Sequence, residues 1–335
     1  MIKKGNPMRN LRTSFLGVAL VAVMMAAFSG CASGTAGSAT GSRSVYALLP
    51  QGTDQPYGTQ YLKAMKAEAA KDHINLTITN SQYDPNKQAS DCQVAVAAKP
   101  ALIILWPAVA DAVRPCLERA QAAHIPVTVT NSDVLKQDQP LTAGYSGPDT
   151  YGQGAAAAQM MCKLAGSKPT KIIQVAGLTG NSTAINREAG FEDTVKKNCP
   201  NVKILATQPG NWDKNTSETV TSEMITSVGA SNVQGIYAAD DTMVAGAIAA
   251  LQSRGINPKP LDIVSIGNTT LGNPLVKAGL LDGTVFQSSA WDGQHAITLA
   301  NEVLSGKKPS PREEFMPSVE VTQANASSPS VAPNW

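Results

Sequence analysis

From residue 45 onward, apolar positions follow two periods that alternate along the chain. Short runs rich in Val, Ile and Leu, bounded by turn residues, fall at 45–49, 76–79, 101–106, 126–130, 171–176, 202–207, 235–238, 262–266 and 284–287. Runs of this kind read as buried parallel strands. Between them, helical spacing of apolar residues marks 57–71, 87–97, 108–123, 149–164, 184–197, 217–228 and 242–254. Strand–helix alternation over this distance predicts an α/β architecture with right-handed crossovers. The series pauses once, at 135–148 (LKQDQPLTAGYSGP), which is polar, turn-rich and without an amphipathic helix. The pause predicts a hinge crossing between two doubly wound parallel-sheet domains. The expected lobes are 45–146 with 288–315, and 147–287 with 316–323, followed by a flexible tail at 324–335.

Residues 1–44 carry a different pattern. Lys3, Lys4, Arg9 and Arg12 precede an apolar run at 15–28, and Ser29-Gly30-Cys31 follows. A charged start, a short apolar core and small residues before a cut site define a secretory signal peptide over 1–30. The run is short of the roughly 20 apolar residues a membrane span needs. Small residues before Cys31 also resemble the lipobox of bacterial lipoproteins, although Phe28 stands where leucine is usual. Lipidation at Cys31 would leave 31–44, rich in Gly, Ser and Ala, as a tether. The chain is therefore expected outside the cytoplasm, in the periplasm or at the cell surface, lipid-anchored to a membrane.

Without residues 1–30 the formal charge falls from +2 to −2, because four cations and no anions leave. Such a body has no basic footprint for nucleic acid. Besides Cys31 there are four cysteines, Cys92, Cys116, Cys162 and Cys199. An even number outside the cytoplasm suggests disulfides. Three connectivities are possible; Cys92–Cys116 and Cys162–Cys199 are favoured because each joins neighbouring elements within one expected lobe, with buried free thiols as the alternative. No CxxC occurs, and His73, His124 and His295 lie far from each other and from the cysteines, so zinc is not expected.

In doubly wound sheets, ligands bind outside the carboxyl ends of the strands. Here those ends read Gln51-Gly-Thr-Asp-Gln55-Pro-Tyr57, Trp106-Pro-Ala-Val-Ala-Asp111, Asn131-Ser132-Asp133, Gly177-Leu-Thr-Gly180-Asn181-Ser182, Asn211-Trp212-Asp213, Asp240-Asp241, Asn268-Thr269 and Gln287-Ser288. Amides, carboxylates and hydroxyls recur, and three aromatics join them in a chain that is only 5% aromatic. A ligand with many hydroxyls needs such polar partners, and flat rings against its C–H faces. That is the profile of carbohydrate recognition.

Several runs are more specific: Ala184-Ile-Asn-Arg187-Glu-Ala-Gly190-Phe191, Tyr237-Ala-Ala-Asp240-Asp241-Thr-Met243-Val-Ala-Gly246-Ala247, Gly283-Thr-Val-Phe-Gln287, and Leu102-Ile-Ile-Leu-Trp106-Pro107 with Ala122-Ala-His-Ile125-Pro126-Val127. In these the chain resembles the periplasmic ribose-type sugar-binding proteins, receptors of ABC importers, from about residue 45 to about residue 320. The resemblance implies the type I periplasmic binding protein fold, a monomer, no cofactor, a sugar or polyol ligand and an ABC importer permease as partner. It implies that Arg187 bridges sugar hydroxyls, that Asp240 accepts from them, and that Gln287 touches the ligand from the end of an interdomain strand. Trp212 and Tyr57 match aromatic positions on the two lobes, and Asp241 is expected to cap the following helix. Departures are as informative. Asn131-Ser132 replaces a usual Asp-Arg, Trp106 and Gln55 each replace an Asn, and Asn268 replaces an Asp. These changes point away from ribose itself, towards another pentose, a hexose, a polyol or a less hydroxylated ligand.

No nucleophile elbow, Walker loop, dinucleotide fingerprint or His/Cys constellation appears, so catalysis is not expected. The leader and the missing helix-turn-helix speak against a repressor. A receptor that presents its solute to a membrane sensor kinase or chemoreceptor would use the same cleft and remains the alternative.

Overall fold

The computed structural model describes residues 43–335. The leader, Cys31 and the start of the tether lie outside the described residues. The first sheet holds β1 (Ser44–Leu49), β2 (Asn75–Asn80), β3 (Leu102–Leu105), β4 (Val127–Thr130) and β5 (Gly144–Pro148). The second holds β6 (Thr170–Ala176), β7 (Val202–Pro209), β8 (Gly235–Ala238), β9 (Asp262–Gly267) and β10 (Gly283–Phe286). Two late strands complete them, β11 (Glu313–Met316) and β12 (Glu320–Val321). The spatial orders are β11-β5-β4-β3-β1-β2 and β12-β10-β9-β8-β6-β7. Every pairing is parallel except that of β10 with β12. Both orders reverse at their first strand, so each sheet is doubly wound and each has a switch point.

Helices cover both faces, which is why the central strands are apolar throughout. Leu102, Ile103, Ile104 and Leu105 are all fully buried. Each such side chain contributes about 1.5–3 kcal/mol. In the first lobe the helices are α1 (Pro56–Lys71), α2 (Pro85–Ala97) and α3 (Arg114–Ala122). The second has α4 (Thr150–Ala165), α5 (Ser182–Asn198), α6 (Lys214–Val228), α7 (Asp241–Ser253) and α8 (Gly272–Lys277). The chain then returns, and α9 (Ser289–Leu304) packs on α1 and the first sheet. It thus passes between lobes after β5, after β10 and between β11 and β12. Each disulfide lies within one lobe: Cys92–Cys116 joins α2 to α3, and Cys162–Cys199 joins α4 to the end of α5.

Two expectations are revised. The segment 135–148 contains a short 3-10 helix, Lys136–Leu141, and then β5, an interior strand buried along its whole length. Gly-Tyr-Ser-Gly-Pro lacks branched apolar residues, so its hydropathy hides a strand that lies between β4 and β11. The residues 324–335, expected as a flexible tail, instead pack onto the second lobe. Ala326 and Val331 are buried in its core, and Asn273 Nδ2 donates to the Ala326 carbonyl at 2.9 Å.

Candidate functional site

The carboxyl ends of both sheets face a cavity of about 420 Å³ between the lobes. Gln51, Asp54 and Gln55 reach it from the loop after β1, Tyr57 from the first turn of α1, Trp106 from the end of β3 and Asn131 from the end of β4. From the other lobe come Asn181 after β6, Asn211 and Trp212 after β7, Asp240 after β8, Leu271 after β9 and Gln287 after β10. Of the nine residues expected to bind ligand, the structure brings eight to this cavity: Gln55, Tyr57, Trp106, Asn131, Arg187, Trp212, Asp240 and Gln287. Asn268 is not among them. Its side chain is fully buried away from the cleft, donating to the Val331 carbonyl and accepting from Asn273 Nδ2 at 2.9 Å. It holds the C-terminal segment.

Arg187 sits inside α5, 3% exposed. Its Nε and Nη2 both donate to Gln153 Oε1, at 3.1 and 2.8 Å; Nη1 donates to the Ala239 carbonyl at 2.7 Å, and Nη2 also to Gln287 Oε1. A guanidinium has five N–H groups, so one on Nη1 remains unpartnered. The fork that the sequence suggested would serve two ligand oxygens is instead held largely by the protein, and the ligand is offered one charged donor in a fixed direction. Burial pulls the Arg187 pKa down, and the nearby Tyr237 and Asp240 oppose that pull. The helix carrying Arg187 packs tightly on α4: a side chain at Gly190 would meet the Tyr151 carbonyl at 2.1 Å. This explains the glycine three residues after the arginine.

Asp240 takes the capping role expected of Asp241 and keeps its place on the cavity, while Asp241 has neither role. Asp240 is the N-cap of α7, its Oδ1 accepting from the Met243 N–H at 2.7 Å, and it also faces the cavity. Asp241 is fully buried below it, accepting from Ser265 Oγ, from Thr284 Oγ1 at 2.8 Å and from the Thr269 N–H at 2.7 Å. Burial raises the Asp240 pKa to about 7, against the opposing pull of the Met243 N–H and Arg187. Trp212 stands beside Arg187, whose guanidinium carbon is 5.9 Å from the ring centroid. A Cβ on Gly177 would strike the Trp212 ring at 2.1 Å, so the first glycine of Gly177-Leu-Thr-Gly180 serves the indole rather than a phosphate.

The first-lobe wall rests on Asp292, a fully buried residue in the first turn of α9 that no sequence signal marked. Its Oδ2 accepts from Tyr57 Oη at 2.6 Å and from Asn131 Nδ2 at 2.7 Å, and its Oδ1 from Thr130 Oγ1 at 3.2 Å. Tyr57 Oη in turn accepts from Asn131 Nδ2 at 2.9 Å and from Gln287 Nε2 at 3.0 Å, linking the lobes. Burial raises the Asp292 pKa to about 6, while its three donors pull it back. Trp106, 2% exposed, meets Tyr57 edge-on with centroids 5.7 Å apart. Its indole Nε1 is buried without a hydrogen-bond partner. At the mouth the lobes touch: Ser182 Oγ donates to the Asp133 carbonyl at 2.7 Å, and Ser132 Oγ lies 2.8 Å from Thr183 Oγ1.

Sequence reasoning also missed Tyr83 and Trp335 in the cavity wall. For Trp335 a signal existed, since Ala326, Val331 and Trp335 place apolar side chains at intervals in an otherwise polar segment.

Two doubly wound lobes around a polar, aromatic-lined cavity define a bilobal solute receptor. The chain belongs to the periplasmic binding protein domain family, whose model matches residues 46–308, and within it to the ribose-type sugar-binding group. The ribose import binding protein of Salmonella typhimurium is 29% identical over 262 residues, covering 78% of this chain and 85% of that protein. The galactofuranose-binding protein YtfQ of Escherichia coli is 28% identical over 233 residues, covering 69% and 72%. A solved structure from Mycobacterium smegmatis in complex with β-D-fucofuranose superposes with a TM-score of 0.77 at 26% identity, covering 84% of this chain and 92% of that one.

Proposed function

We propose that this chain is an extracytoplasmic solute-binding lipoprotein that closes on a sugar or polyol and delivers it to an ABC importer. The observation that carries the reading is the cavity itself, where rings from both lobes flank groups still free to meet hydroxyls. One Nη1–H of Arg187 offers a charged donor, and the Asp240 oxygen not engaged by the Met243 N–H offers an acceptor. The paired carboxylates Asp240 and Asp241 support binding rather than catalysis, because Asp241 is tied into the protein by three donors. The names of the relatives, both binding proteins for sugars, support the same reading.

A thermal-shift screen of the processed protein tests it, since a ligand raises the melting temperature by mass action. A sugar or polyol that raises it in a saturable way is the expected result; a set of pentoses, hexoses, cyclitols and open-chain polyols that leaves it unmoved contradicts the reading. The anchor is tested separately. Cys31→Ala should release the protein from membranes or leave its leader uncleaved, and unchanged processing and retention would refute lipidation.

A further inference from the structure

The family match ends at residue 308, yet Trp335 lines the cavity. The segment leading to it is held at several points independent of the indole ring. Val331 and Ala326 are buried in the second lobe, the Thr270 N–H donates to the Trp335 carbonyl oxygen at 2.7 Å, and Asn334 Nδ2 donates to Ser288 Oγ at 2.9 Å. The indole itself crosses to the first lobe. It meets the Tyr57 ring edge-on, with centroids 4.8 Å apart and planes at 79°. Its Nε1–H donates to the Gln287 carbonyl at 2.9 Å. With that N–H engaged, the indole of Trp335 has no polar atom left to offer; its remaining surface is carbon.

We propose that Trp335 is a ligand-contacting residue which, with Tyr57, Trp106 and Trp212, selects a cyclic solute, a sugar ring or a cyclitol, over open-chain polyols. The proposal rests on the solute-binding reading above. A ring sugar or cyclitol carries C–H groups collected on a face, and such a face gains from an aromatic surface. An open-chain polyol has no fixed face and loses rotational freedom on being ordered. A further ring contributed by a segment outside the family match makes this preference a property of this chain rather than of the fold. Anchoring of the segment by Val331, Ala326 and Asn334 makes the ring separable from the tail that bears it.

The test measures affinities of the processed protein for D-ribose, L-arabinose, D-galactose, D-allose and myo-inositol as cyclic probes, and xylitol as the open-chain probe. Trp335→Leu should weaken the best cyclic probe about tenfold and xylitol less than about threefold, with Trp335→Phe within about threefold of the parent for both. In 5-fluorotryptophan-labelled parent protein, the Trp335 fluorine resonance, assigned with Trp335→Phe, should shift on saturation with that probe; this reading holds even where Trp335→Leu fails to fold. An unmoved resonance, equal losses for cyclic and open-chain probes, or a parent that prefers xylitol to every ring overturns the assignment. A parent that binds no probe contradicts the solute-binding reading and the assignment with it. A parent that binds a ring while both variants match it contradicts the assignment alone.

Discussion

The two walls of the cleft are built on different plans. On the second-lobe wall, Arg187 and Asp240 are locked by protein partners yet each retains one hydrogen-bonding position towards the cavity. On the first-lobe wall, Tyr57 and Asn131 direct their polar atoms backwards, into Asp292, Gln287 and each other. What Tyr57 and Trp106 leave to the ligand there is ring surface, while the polar side chains of Asp54 and Gln55 reach the cavity from the loop after β1. The buried centre of the second-lobe wall therefore reads polar groups, and the buried centre of the first-lobe wall supplies shape. Substitutions on the second-lobe wall should act on affinity, and substitutions beneath the first-lobe wall should act on stability first.

The sharpest way to break this contrast is Arg187→Ala. It removes a charged donor from a buried position, a loss on the order of 2–4 kcal/mol, or roughly 30- to 1,000-fold in affinity. It also strands Gln153 and Gln287, so the melting temperature of the ligand-free protein should fall modestly while circular dichroism stays native. Calorimetric titration with the solute found by screening checks it; binding within about threefold of the parent would refute the assigned role. Asp292→Ala should show the opposite balance. Three donors lose one buried acceptor, costing on the order of 3 kcal/mol of stability by chemical denaturation. Its affinity loss should stay well below that of Arg187→Ala, and a larger loss would erase the distinction between the walls. Trp212→Ala should fall between them in affinity, with about a tenfold loss and little change in stability, as read by titration and melting.

The smallest effect concerns pH. The Asp240 pKa in the folded protein is raised to about 7, above its unfolded value. Such a group stabilises the fold fully below the ordinary carboxylate range and loses that contribution as pH rises through about 7. Asp292, raised to about 6, acts in the same direction over a lower window. The ligand-free protein should therefore melt at lower temperature at pH 8 than at pH 5. A hydroxyl donating to the ionised Asp240 reverses the trend for binding, which should tighten across that interval. Asp240→Asn should flatten the binding profile, and a profile that keeps its slope in this variant would assign the dependence elsewhere.

Much of this was legible in the sequence, for physical reasons that differ by residue. Parallel strands buried on both faces declare themselves as apolar runs, and a strand-end residue such as Trp106 or Gln287 inherits its place from the strand before it. Arg187 was found through a local run whose glycine answers to a packing contact. The misses share another cause. β5 is buried but has no branched apolar residue, so its pattern carries no strand signal. Asp292 lies in the first turn of a helix far along the chain, and only the return crossing brings it under Tyr57. That Asp240 rather than Asp241 caps α7 depends on which side chain turns into the helix end, which spacing does not determine. Asn268 stands at a strand end like its neighbours, but its backbone is left-handed, φ 50°, and its amide serves the C-terminal segment.

The central claim is that one solute sits between these two walls and touches both. A crystal structure of the processed protein, grown with the solute that gives the largest thermal shift, tests this most directly. The predicted result is a single molecule in the interlobe cavity, with one oxygen at the free Nη1–H of Arg187, one hydroxyl on Asp240, and C–H surface against Trp212 on one side and the Trp106–Tyr57 wall on the other. A solute bound outside the cavity, or inside it with no contact to Arg187 and Asp240, would contradict the account.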